Sequence, residues 1–188
     1  MQQASFRTYI VRALKRRDFA GTFANVTVAQ DGLTLKGDER GFLHVPFARI
    51  ARMRVGFTET RSGLIYETKI WLEDEDRPLT LHPDRDNLLG YAAAVRATAT
   101  ALNDAGRFGR VYRGLSTFEA LLGPVLMAPV VLFALLGASV SADPPVWWHF
   151  LVIPLLPTAV FGLLVWRSVT RHWPRPVASF AELGLQLP

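Results

Sequence analysis

The chain has 188 residues, half of them hydrophobic, with 21 Lys and Arg against 16 Asp and Glu, a net charge of +5 and no cysteine. The missing thiol excludes a disulfide framework, a thiolate zinc site, an iron–sulfur cluster and a cysteine nucleophile. Mean hydropathy is +0.19, and the excess sits in the last third of the chain, which speaks against a simple water-soluble enzyme.

The N-terminus is basic. Arg7, Arg12, Lys15, Arg16 and Arg17 precede the first acid, Asp18. Phe6, Tyr9, Ile10, Ala13 and Leu14 fall at helical spacing, the pattern of a basic amphipathic helix lying on an anionic inner leaflet. Thr8, Ile10 and Arg12 also fit a first strand, so the alternative is a strand or helix packed on the domain with solvated arginines. Residues 1–21 are set apart as a basic N-terminal segment.

Residues 22–114 read as a cytoplasmic domain. Val26–Ala29 and Leu33–Lys36 flank Asp31-Gly32, a strong hairpin turn. A strand is predicted over Gly41–Pro46. Ala51, Met53, Val55 and Phe57 then alternate with Arg52, Arg54, Gly56 and Thr58, a period of two with one face buried. Arg61-Ser62-Gly63 turns the chain. Leu64, Tyr66, Thr68, Ile70 and Leu72 alternate with Glu67, Lys69 and Glu73. The acidic run Glu73-Asp74-Glu75-Asp76 lacks the spacing of a calcium loop and reads as a turn before a short strand, Pro78–His82. A helix is predicted to start with Asp86 as its N-cap and to stop at Gly106. Its apolar stripe is Leu88, Tyr91, Ala92, Val95, Ala99 and Leu102, with Arg96, Thr98, Asn103 and Asp104 off it.

From Ala120 to Val140 there are 21 residues without a charge, and from Val146 to Trp166 there are 21 more whose one ionisable group is His149. A hydrocarbon core of about 30 Å needs roughly 20 apolar residues of helix. Ser141-Ala142-Asp143-Pro144-Pro145 is all that separates the runs, so a transmembrane hairpin is expected over 115–173, with spans near 118–140 and 146–167. Arg107, Arg110 and Arg113 precede it, and Arg167 and Arg171 follow it, while the intervening loop has no Lys or Arg. The positive-inside rule then places both termini in the cytoplasm, with Trp147, Trp148 and Trp166 near the interfaces. Pro124, Pro129, Pro154 and Pro157 read as kinks in an anchor. Glu119 sits where it can cap the first span. The tail 174–188 carries Phe180, Leu183, Leu185 and Leu187 and is expected to fold back on the domain or the membrane face.

Six or seven antiparallel strands closed by one C-terminal helix resemble the pleckstrin-homology-like (PH-like) fold. Leu43–Arg54, in which His44-Val45-Pro46-Phe47-Ala48-Arg49-Ile50 leads into a strand, resembles the segment before the central hairpin in bacterial PH-like domains. The resemblance covers about residues 22–106. It implies an α+β class, an antiparallel β sandwich or barrel closed by one helix, here followed by the two-helix transmembrane hairpin. It also implies a binding or scaffold module with no catalytic residues. Lipid-binding members place basic residues around the first hairpin, whereas here Asp31, Asp38 and Glu39 accompany Lys36. Inositide binding is therefore not expected.

Arg49, Arg52 and Arg54 gather near one strand and suggest a partner or anion surface, although Glu67 and Glu73 are available to neutralise them across the ladder. His44, His82, His149 and His172 show no ligand spacing, so no metal is expected. No GxSxG, GxxxxGK[ST] or GxGxxG occurs, so neither catalytic residues nor a cofactor are expected. Nucleic acid is not expected as a partner, because much of the basic charge flanks the apolar runs. The function read from the sequence is a non-enzymatic module anchored in a bacterial inner membrane. It would meet lipid and either a protein partner or a second copy of itself. The alternative is an accessory subunit of a transporter or channel.

Overall fold

The computed structural model describes residues 4–61, 63–114, 125, 128–129, 159–163, 165–167, 170 and 173–188. The chain divides into two compact units. One joins residues 1–114 to the tail Arg175–Pro188, and the other is Leu115–Pro174. Most of both apolar runs, including Trp147 and Trp148, lies outside the described residues, as does Arg171. Among the described residues, no helix is long and apolar enough to cross a membrane.

The first unit is α+β, with two largely antiparallel sheets. Neither closes into a barrel. The first has four strands in sequence order: β1 (Ser5–Tyr9), β2 (Phe23–Val28), β3 (Gly32–Gly37) and β4 (Phe42–Pro46). Of the two readings of the N-terminus, the strand prevails over residues 5–9. A short helix, α1 (Arg12–Lys15), follows and buries Leu14. A strand wins because it pairs with β2 along its whole length, Ser5 opposite Thr27 to Tyr9 opposite Phe23. That pairing turns Phe6 and Thr8 into the core, and the buried Thr8 hydroxyl is satisfied by the His82 backbone, donating to its carbonyl and accepting from its amide at 2.9 Å each.

The second sheet has the order β7-β6-β5-β8-β9. Its centre is the long hairpin of β5 (Ile50–Thr60) and β6 (Gly63–Leu72), flanked by β7 (Leu79–Leu81) and β8 (Val111–Arg113). β8 runs parallel to β5, Met53 opposite Val111 and Val55 opposite Arg113. The edge is β9 (Arg175–Pro176), contributed by the tail, with Arg175 directly opposite Arg113. Beyond it, Val177 donates from its backbone to Val111 at 2.9 Å, and α3 (Phe180–Gly184) follows. Val177, Leu183 and Leu187 are buried with the rest of the core. Ser179 and Glu182 form a reciprocal cap on α3: Glu182 N donates to Ser179 Oγ, and Ala178 N donates to the Glu182 carboxylate.

The long helix α2 (Leu88–Asp104) starts after a single 3-10 turn, with Asn87 rather than Asp86 at its N-cap position. It packs on β1 and β2. Tyr91, Ala92, Val95, Ala99 and Leu102 are buried as their spacing predicts, and Thr98 is buried with them. Thr98 is tolerated there because its hydroxyl donates to the Ala94 carbonyl at 2.8 Å. Gly106, at φ +69°, ends the helix.

Tyr91 ties the sheets together. Its ring meets Phe6 of β1 edge-on at 5.3 Å and Tyr66 of β6 at 6.2 Å. Its hydroxyl lies 2.8 Å from Thr68 Oγ1 in a fully buried pair. Burial raises its pKa well above the ordinary tyrosine value, so it stays protonated. Tyr91→Phe should cost about 1–3 kcal/mol, because it strands the Thr68 hydroxyl. Thr68→Val added to it should cost less than the two single changes summed. Thermal unfolding of all four proteins measures the coupling, and strict additivity would refute it.

Candidate functional site

The outer face of β5, β6 and β8 carries an unusual polar arrangement. Strand alternation turns Met53 and Val55 inward, which leaves Arg52 and Arg54 outward beside Trp71 and Lys69 of β6 and Tyr112 of β8. A register shift between Ile50 and Arg52 sets Arg52 opposite Trp71 and Arg54 opposite Lys69. No acid therefore stands directly across from either arginine. The Arg52 guanidinium carbon lies 4.0 Å from the Tyr112 ring centroid and 5.3 Å from that of Trp71. Arg54, largely buried, lies 5.3 Å from the Trp71 ring. Arg52 Nε is buried and makes no hydrogen bond.

The two acids expected across the ladder have other basic partners as well. Glu67 pairs with Lys69 at 2.9 Å, and Glu73 meets Arg110 at 3.1 Å and Arg107 at 4.0 Å. Arg49 stands apart from the cluster and pairs with Asp74 at 2.8 Å. A guanidinium in contact with two rings loses little further freedom when a ligand arrives, and its donor fork suits a carboxylate or phosphate.

The other basic residues singled out from the sequence are placed as follows. Arg7 lies over the Phe23 ring at 4.1 Å and 3.8 Å from Asp84. Arg12 and Lys15 are on α1, with Arg16 and Arg17 just beyond it. Arg17 pairs with Glu75. Arg77 beside it, then slight desolvation, then Arg12, lower the Arg16 pKa from its ordinary value. Arg107 donates to the Ala48 carbonyl at 2.6 Å, and Arg110 to that of Ile50 at 3.1 Å, so both tie the segment after α2 to the turn that leads into β5. Arg113 lies 2.7 Å from Glu182 of the tail. Trp166 is exposed in the second unit, and Arg167 next to it is too.

A groove of about 400 Å³ opens at the end of the β5–β6 hairpin, lined by Tyr9, Leu64, Ile65, His82, Arg85 and Leu88. Burial lowers the His82 pKa from its ordinary value; Glu67 works against this shift and Lys69 with it. Nothing in the sequence reading marked this end. Leu64 and Ile65 stand next to each other in the first turns of β6, where alternation had given only Leu64 an inward place. Both are exposed. Trp71 and Tyr112 were also passed over, although a tryptophan in step with Glu67 and Lys69 marks an aromatic on a polar face.

No family model matches this chain, and no curated protein matches it. Among solved structures, it is similar to a pleckstrin homology domain from Shewanella amazonensis SB2B. The two are 19% identical, with a TM-score of 0.33 over 43% of this chain and 72% of that one.

Proposed function

We propose that this chain is a non-enzymatic, membrane-anchored binding module with a PH-like domain on the cytoplasmic side of a bacterial inner membrane. The observation that carries the reading is the return of the tail. The polypeptide leaves the first unit after Gly114 and rejoins the same sheet at Arg175. Two uncharged runs lie between these points, each long enough for one crossing. An even number of crossings brings the chain back to the side it left. In the second unit, Val160, Leu163 and Trp166 are exposed by 51–69%. Apolar side chains left open in this way suit a lipid or protein environment.

The partner face in this reading is the Arg52–Trp71–Tyr112 cluster. It would dock an acidic surface of a protein, either another chain or a second copy of this one, at a concentration raised by anchoring in the same membrane. In affinity capture from native membranes in mild detergent, Arg52→Glu should lose a stoichiometric partner at least tenfold while the protein stays folded. Capture that is unchanged by Arg52→Glu and by Trp71→Ala would remove this face from consideration. The second reading, an accessory subunit of a transporter or channel, is favoured by the exposed Val160, Leu163 and Trp166. It predicts a partner kept by both variants and lost on polar replacement of Leu163.

A further inference from the structure

We propose that the end of the first unit bearing the β5–β6 hairpin turn is a lipid-docking surface, with Leu64, Ile65 and Leu89 entering the interfacial layer of the bilayer that anchors the chain. The inference rests on the anchored reading and adds to it an orientation and a second contact with the membrane.

Backbone direction is the first argument. β8 is parallel to β5 and ends at Arg113, level with Val55. The chain therefore leaves the sheet heading the way β5 heads, toward Thr60 and the hairpin turn. β9 begins opposite Arg113, so the returning chain arrives from that same side. β5 continues five residues past Val55, roughly 17 Å at 3.4 Å per residue. The turn thus projects about that far beyond the point of exit.

Reach is the second argument. Only Leu115–Glu119 separate Gly114 from the first uncharged run. At 3.3–3.6 Å per residue, six steps of extended chain span about 20 Å at most. A fully extended linker then sets a bilayer entered at Ala120 within a few ångströms of the turn's own reach, and any bend in the linker brings it closer. The turn need not be carried to the lipid by any motion of the chain.

The third argument is what this end presents. Leu64 and Ile65 are 42% and 41% exposed and Leu89 is 83% exposed. Tyr9, also exposed, lines the adjoining groove with Leu88. β7 runs antiparallel to β6 and delivers His82 and Pro83 to the same end, which brings the start of α2 there. An exposed arginine, Arg61, stands at the turn, where a lipid phosphate would meet it. By contrast, the basic cluster of α1 lies with Arg77 and Pro78 at the far end of β7, against the groove lined by Ala13, Arg16 and Leu43.

The absence of cysteine makes the test direct. Single Ile65→Cys and Phe42→Cys variants of the full chain are labelled with an environment-sensitive dye. They are then assembled into nanodiscs of three parts zwitterionic to one part anionic phospholipid. Phe42 is an apolar residue, 69% exposed, on β4, and controls for exposure alone. The dye at 65 should be at least twofold less accessible to aqueous iodide than the dye at 42. It should also be quenched by nitroxide carried on the lipids. Equal accessibility in protein that co-elutes with the discs overturns the docking surface and leaves the anchor standing. Protein that fails to enter the discs overturns both.

Discussion

Leu183→Ala is expected to destabilise the first unit by about 2–5 kcal/mol, the usual cost of truncating a fully buried leucine. Leu183 has no exposed surface although it lies only five residues before Pro188. It is held there by α3, by the capping pair Ser179 and Glu182, by the ion pair of Glu182 with Arg113, and by the ring of Phe180, tilted against that of Phe108 at 4.8 Å. Losing this side chain removes apolar contact and also loosens β9 from the edge of β8. Because Arg113 and Arg175 face each other, replacing residues 114–174 with Asn-Gly should leave an ordinary two-residue hairpin. That shortened chain offers a two-state melt without detergent. Leu183→Ala should lower its midpoint by roughly 10 °C. A melt unmoved by the change would mean that the tail is an ornament on a domain complete without it.

Gly41→Ala should cost about 3 kcal/mol or more, and Gly106→Ala only about 1 kcal/mol. Both glycines have positive φ, +111° and +69°. At Gly41 an added Cβ would stand 2.6 Å from Phe19 Cγ and 2.9 Å from its Cα, so neither the ring nor the backbone behind it has room. Phe19 is itself buried, wedged where the β3–β4 turn closes. At Gly106 a Cβ would meet nothing within 4 Å. The difference between the two variants therefore combines the clash with Phe19 and the greater backbone strain at φ +111°. Chemical denaturation of the shortened chain gives both values. Equal costs would show that Phe19 yields freely.

The strands of the central hairpin and the long helix were readable because their patterns are local. Tyr66 to Leu72 of β6 alternate buried and half-buried, and α2 repeats its stripe from Leu88 to Leu102, about four turns. Thr98 broke the stripe because a threonine inside a helix can satisfy its own hydroxyl on the preceding turn, which composition does not reveal. The N-terminus fitted two periods at once, and the choice fell to an external fact, the free edge of β2. The tail's return was anticipated only as a tendency of apolar ends to fold back. Its partner strand is sixty residues distant and each strand is too short to show alternation, although Ser179 and Glu182 were a legible capping signal. At the candidate face, the arginines were visible as a wet pair. Their aromatic neighbours were not, because one register shift beside Ile50 decides whether Arg52 meets an acid or a tryptophan.

The seam between β8 and β9 also bears on how this protein is made. A ribosome delivers Val111 long before Val177 and Leu183, and the whole second unit emerges in the interval. During that interval the nascent first unit lacks its last edge strand and its closing helix. The fold is sealed only after the intervening segment has been made, because the last edge strand begins at Arg175. An unsealed unit of this kind exposes the Val111 edge and the pocket left by Leu183, a recognisable substrate for quality-control proteases. Completion of the domain thus reports that the whole intervening segment has been made.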